Sequence, residues 1–260
     1  EKEYRDYIEY IEISFQIELD DEENEVKKYF PDSCKLIDPE NFVVLGIISS
    51  NSNNKIYKIR DKKTGKLYSA KTTLKNEKFF LRKIRILTSI KLQSIVDYYG
   101  VGYIQTKKTQ QEIAIITDYM KNGSLADLLE LLRKGYEVPY WTNTIKLINI
   151  YGIASAMKYL HSKNILHRDL STNNILLDDF LFPKLADFGS SNYIDEIRQA
   201  SMTLSKGTKI FVAPEIEEDV FYSTGADVYS FAIIIFEIIC SEKIKNYSIM
   251  HNYVNDFYSK

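Results

Sequence analysis

The chain has 260 residues, 45% hydrophobic and 13% aromatic, which is enough apolar surface for a sizeable core and excludes a disordered chain. Its 34 Lys and Arg against 36 Asp and Glu leave a formal charge of -2, which excludes any global attraction for nucleic acid or an anionic membrane, so a phosphate site has to be local. Cys34 and Cys240 are the two cysteines, far apart and without a CxxC or Cys/His cluster, which argues against a disulfide framework or a zinc site and fits a reducing, cytoplasmic setting.

Residues 1–37 read as an acidic leader that includes Asp20-Asp21-Glu22-Glu23 and ends between Pro31 and Pro39; its charged start lacks the apolar core of a secretory signal. Between 41 and 120 come short β-rich stretches: Phe42-Val43-Val44-Leu45, Lys55-Ile56-Tyr57-Lys58-Ile59, Leu67-Tyr68-Ser69-Ala70-Lys71 and Ile113-Ala114-Ile115-Ile116-Thr117. Asp61 to Gly65 supplies a hairpin turn. The spacing of Phe80, Leu81, Ile84 and Leu87 predicts one helix between 76 and 90. After Gly123 the pattern becomes helical, with Leu147, Ile150, Ala154, Met157 and His161 on one face. The apolar run from Val228 to Cys240, broken by Ser230 and Glu237, is too short to cross a bilayer and reads as a buried core helix.

The chemistry-bearing residues lie on this framework. His167-Arg168-Asp169-Leu170-Ser171-Thr172-Asn173-Asn174 matches H-R-D-L-x-x-x-N, Asp187-Phe188-Gly189 follows it, and Ala213-Pro214-Glu215 comes later. Upstream, Lys71 ends a predicted strand. In this order the four elements resemble the protein kinase superfamily, and Gly123-Ser124-Leu125 with the loop wording is most similar to its tyrosine-kinase-like group of serine/threonine kinases. No GxxxxGK[ST] sequence occurs, which rules out a P-loop NTPase.

The resemblance covers residues 38–260 and implies an α+β, two-lobe fold. Its N-lobe (about 38–119) would be a five-stranded antiparallel sheet with one helix, its C-lobe (about 120–260) mainly α-helical, and ATP would lie between them. By resemblance, Asp169 accepts or orients the substrate hydroxyl proton, Asn174 and Asp187 hold Mg2+, and Lys71 binds the α- and β-phosphates. Nucleotide contacts are implied at Gly46, Ile56, Ala70, Thr117 (the gatekeeper), Asp118, Met120, Asp127 (toward the ribose) and Leu176. Thr208, after Gly207, would position substrate. Ser201, Thr203 and Ser205 are candidate phosphosites for an upstream kinase, where a phosphate would pair with Arg168. Protein substrates are the implied partners. His161, His167 and Trp141 read as packing residues.

Four features depart from the family pattern. The phosphate-covering loop keeps Gly46 alone and is about three residues longer through Asn51, Asn53 and Asn54, which predicts weaker ATP binding. Lys83 stands where a glutamate should pair with Lys71; two like charges at 4 Å repel by roughly 4 kcal/mol at an effective dielectric near 20. The helix must swing outward or another acid must substitute, and Glu77 points elsewhere on the helix. No arginine follows Arg198 to meet Glu215, and the chain ends soon after its apolar helix, which implies that the last C-lobe helices are missing. Ser171 replaces the lysine usual in serine/threonine kinases. Two function readings result: a serine/threonine kinase using ATP and Mg2+, and a pseudokinase-like nucleotide-binding or scaffolding module with little turnover.

Overall fold

The computed structural model describes residues 35–50, 54–73, 77–107, 110–194, 209–213, 216 and 223–240. Ser201, Thr203, Ser205, Gly207, Thr208, Pro214, Glu215, Asn51 and Asn53 lie outside them, as does the leader up to residue 34.

The first lobe is a six-stranded sheet of β1 (Leu36–Ile37), β2 (Phe42–Ser50), β3 (Asn54–Asp61), β4 (Leu67–Thr73), β5 (Tyr98–Lys107) and β6 (Gln110–Asp118), in the order β1-β5-β6-β4-β3-β2. Strict alternation explains β3 and β4. Tyr57, Ile59, Tyr68 and Ala70 are buried on one face with Phe42, Ile104 and Ile116, while Lys58 and Lys71 project from the other. Between these strands Asp61 Oδ1 accepts from the amides of Lys63 and Thr64, and Gly65 closes the turn at φ +70°. The antiparallel sheet is therefore as expected, with one addition.

That addition is β1, two residues of the expected leader that pair in parallel with β5: Leu36 opposite Val101 and Ile37 opposite Gly102. Two residues carry no periodicity, and the glycines of β5 dilute its strand signal, so neither element stood out in the sequence. The same glycines make the pairing feasible. A Cβ on Gly102 would overlap the Ile37 carbonyl oxygen, and one on Gly100 would meet the Lys35 carbonyl and the Ile37 side chain. Main chain cannot yield as a flexible side chain can, so Gly102→Ala is expected to displace β1 and cost about 1–3 kcal/mol. Thermal unfolding should register this as a fall of roughly 2–12 °C; an unchanged melting temperature would show that β1 does not contribute.

Helix α1 (Glu77–Ser89) packs on the sheet face that carries Ile115, with Phe80, Ile84 and Leu87 buried against Ile95, Val101 and Ile115. The second lobe carries α2 (Leu125–Arg133), α3 (Asn143–Ser162) and α4 (Thr224–Cys240), with the short pairs β7 (Ile165–Leu166) with β10 (Asn192–Tyr193) and β8 (Ile175–Leu177) with β9 (Pro183–Leu185). Ser124 caps α2 in a reciprocal capping box with Asp127, and Thr142 caps α3.

The inward stripe of α3 is Asn149, Ile153, Ala156, Met157 and Leu160, not the face expected from Leu147, Ile150, Ala154, Met157 and His161. Leu147 is 66% exposed. The buried Asn149 disguised the phase: its Nδ2 donates to the Ile145 and Leu181 carbonyls, a polar anchor where an apolar residue would have marked the stripe. α4 is the apolar core helix foreseen, with Ile233, Ile234 and Ile238 buried. Its two polar interruptions are satisfied, since Ser230 Oγ donates to the Phe211 carbonyl and Glu237 accepts from Thr172 Oγ1. Among the described residues, no helix is long and apolar enough to cross a membrane.

Candidate active site

β-Sheet pairing determines which side chains face the second lobe. Lys71 on β4 lies opposite Ile56 on β3 and Ile115 on β6, and Ser69 lies opposite Lys58 and Thr117. Directly opposed residues share a face, so Ile56, Lys58, Ser69, Lys71 and Thr117 are on the cleft side. Ala70 is not. It sits fully buried with Tyr57, Ile59 and Ile116 on the outer face, and the period of two replaces it with Ser69 as the small cleft-facing residue before the lysine.

The other expected contacts are distributed around the same edge. Gly46 lies opposite Lys58, next to an irregularity in the β2–β3 ladder, and a Cβ added there would meet nothing within 4 Å. Asp118 ends β6 directly opposite Tyr68, on the outer face, with its carboxylate 2.9 Å from Lys66, so its main chain is what it offers the cleft. Half-buried Met120 opens the turn closed by Gly123, whose amide donates to the Met120 carbonyl at 3.3 Å. Leu176 lies on β8, bridged to Ser124. Asp127 Oδ2 accepts from Ser124 N and Oγ, so that oxygen is committed to the α2 cap.

The catalytic-loop motif emerges from β7. Arg168 adopts φ +65° and Asp187 φ +57°, uncommon for non-glycine residues and costly unless the surroundings hold them. Asp227, 2% exposed at the start of α4, supplies much of that hold: Oδ2 accepts from the His167 amide and Oδ1 from the Arg168 amide, both at 2.9 Å. His161 Nε2 also lies 2.9 Å from Asp227 Oδ2, so His161 is a partner of this support and not simply a packing residue. His167 is fully buried, donates through Nε2 to the Ala186 carbonyl and packs edge-on against Phe188 at 5.2 Å, which makes it structural. Asn174 Nδ2 donates to the Asp169 main-chain oxygen at 2.7 Å, and the Ala186 amide donates to the Asn174 carbonyl at 2.9 Å. These bonds bring Asp169, Asn174 and Asp187 together. Sequence reasoning gives neither Asp227 nor His161 a supporting role; a carboxylate in the first turn of a strongly apolar helix is a signal that could have found Asp227.

Across the cleft Lys71 Nζ lies 2.5 Å from Asp187 Oδ2, and Lys83 Nζ lies 3.9 Å from Asp187 Oδ1. Of the two ways to accommodate Lys83, the structure takes the second. α1 stays packed inward, and the substituting acid is Asp187. Burial opposes ionisation of Asp187, yet the two lysines hold its carboxyl far below the usual carboxylate range. Burial, reinforced by the Lys71 charge and partly countered by Asp187, lowers the Lys83 ammonium to about 8. Burial and the nearby Asp187 charge raise the Asp169 carboxyl above the ordinary aspartate value.

The comparisons with known proteins agree with this geometry. A family profile described as protein tyrosine and serine/threonine kinase matches residues 43–259. A probable LIM domain-containing serine/threonine-protein kinase of Dictyostelium discoideum is 34% identical over 213 residues, 78% of this chain and 31% of that one. A leaf rust 10 disease-resistance locus receptor-like protein kinase-like protein of Arabidopsis thaliana is 34% identical over 171 residues, 66% of this chain and 25% of its own length. The cAMP-dependent protein kinase type 3 of Saccharomyces cerevisiae is 29% identical over 222 residues, 82% of this chain and 52% of that protein. The chain thus spans about a quarter to a half of the length of these relatives. With a kinase profile over most of its length and the kinase motifs assembled at one cleft, the chain belongs to the protein kinase superfamily.

Proposed function

We propose that the chain transfers the γ-phosphoryl group of ATP to serine or threonine hydroxyls of protein substrates. The observation that carries this reading is the Lys71–Asp187 pair bridging the two lobes beside a catalytic loop fixed by Asn174 and Asp227. Phosphoryl transfer asks for positioning and charge neutralisation more than for covalent chemistry. Lys71 holds the nucleotide phosphates. Asp169 orients the substrate hydroxyl and takes its proton as the new O–P bond forms and the bond from the γ-phosphorus to the departing ADP oxygen breaks.

The donor set fits a magnesium ion. Asn174 uses its Nδ2 on the Asp169 carbonyl, which leaves amide Oδ1 as the donor oxygen, and Asp187 supplies a carboxylate kept ionised by its lysines. The ion bound there would neutralise phosphate charge. Ser201, Thr203 and Ser205 are proposed as sites for an upstream kinase and Thr208 as a substrate-positioning residue. Serine/threonine selectivity is supported by the Dictyostelium relatives, which are described as probable serine/threonine-protein kinases.

The test is incubation with γ-labelled ATP, magnesium and mixed protein substrates, followed by identification of the labelled amino acids. Label on Ser or Thr supports the reading; label on Tyr alone overturns the hydroxyl class. Absence of transfer with nucleotide binding intact would favour the second reading, a nucleotide-binding module of low turnover, for which the observation is that two lysines share Asp187.

A further inference from the structure

Lys83 is the odd member of the inward face of α1. Phe80, Ile84 and Leu87 on that face are buried in the core, and Lys83 is aligned with them at helical spacing. Its side chain is 14% exposed, yet its nearest anionic oxygen among the described residues is Asp187 Oδ1 at 3.9 Å, well beyond the 2.7–2.9 Å of a charge-assisted hydrogen bond. Lys71 already takes the other oxygen of that carboxylate at 2.5 Å. Two ammonium groups therefore converge on one carboxylate in a largely enclosed place. A largely buried ammonium whose nearest carboxylate oxygen among the described residues stands 3.9 Å away is poorly compensated for its lost hydration, and an anion delivered into the cleft would relieve it. Ser171, 5% exposed and uncharged, stands where a lysine would otherwise have supplied positive charge from the second lobe.

We propose that Lys83 and Lys71 form a two-ammonium receptor for the nucleotide phosphates, so that this chain binds ATP or ADP with little dependence on a divalent cation. The inference rests on the reading of the cleft as a nucleotide site. In that site the second lysine takes over phosphate neutralisation that otherwise falls to the metal, because its ammonium stands beside the other oxygen of the carboxylate that Lys71 holds. A charge-assisted hydrogen bond to phosphate is worth about ten- to a hundredfold in affinity.

Titrating ATP and ADP into the full chain by calorimetry, in EDTA and in excess magnesium, tests the proposal. Wild type is expected to bind in EDTA within about threefold of its affinity in magnesium, a difference of less than 1 kcal/mol. Lys83→Met and Lys83→Glu are expected to lose about tenfold or more in EDTA. Lys83→Glu, which restores a carboxylate partner for Lys71, is expected to keep its binding in magnesium, and Lys83→Met removes only a buried charge, so the pair guards against a folding defect in either. Wild-type binding that collapses in EDTA while remaining strong in magnesium overturns the proposal and leaves the nucleotide site standing, as does Lys83→Met binding like wild type in EDTA. Absence of binding in either buffer overturns the proposal together with the nucleotide site.

Discussion

Asp169→Asn is expected to lower phosphoryl transfer by about a hundred- to ten-thousandfold while leaving nucleotide affinity and the melting temperature near their wild-type values. The loop around Asp169 is held by main-chain contacts that the substitution does not touch. Asn174 bonds the carbonyl of residue 169, and Asp227 bonds the amides of His167 and Arg168. The amide has the shape of the carboxylate but cannot accept the substrate proton, so the loss should fall on kcat. In the wild type the base works in its ionised form, so kcat/KM falls as pH drops through the carboxyl's own titration. Burial raises that titration above the ordinary value of 3.8, which places the acid limb higher than for an exposed aspartate. Steady-state kinetics across the acid range, with thermal unfolding of both proteins, checks the prediction. Transfer within a few-fold of wild type would remove Asp169 from the mechanism.

What could be read ahead of the structure followed from how local each signal is. β3, β4 and α1 are legible because alternation at Tyr57, Ile59, Tyr68 and Ala70, and helical spacing at Phe80, Ile84 and Leu87, are properties of a few neighbouring residues. The loop from His167 to Asn174 and the Asp187-Phe188-Gly189 turn are legible for the same reason. Assigning Ala70 to the cleft failed because a motif was matched by residue type, whereas the strand's period of two places Ser69 on the face of Lys71. The phase of α3 failed at Asn149, whose polar side chain is buried with its Nδ2 donating both to the Ile145 carbonyl of its own helix and to the Leu181 carbonyl of a distant loop. The partner of Lys83 was unreadable in the same sense. A charge at the glutamate position announces a conflict, but that Asp187 resolves it depends on two lobes closing on each other.

Asp227 shows how much of the site rests on a residue that touches no substrate, and its replacement is expected to give the second large effect. Its carboxylate accepts the amides of His167 and Arg168 and meets His161 Nε2, all in a position 2% exposed. Asp227→Ala strands two amide donors, one buried and one partly buried, at about 1–3 kcal/mol each, for a total of roughly 2–6 kcal/mol. For a domain of this size that is a fall in melting temperature of roughly 4–24 °C. It also releases Arg168 from φ +65°, a conformation that the backbone abandons once nothing requires it. Asp169, the next residue, then loses its aim, so turnover should fall with stability. Asp227→Asn separates the two effects: it keeps one acceptor oxygen but turns an N–H toward a main-chain N–H, so the fold survives with part of the loss while the loop geometry is still disturbed. A kcat decrease in Asp227→Asn at a temperature where the variant is fully folded, with substrate KM little changed, identifies Asp227 as the residue that positions the catalytic loop. Full turnover in a folded Asp227→Asn would mean that the loop holds its strained shape without it.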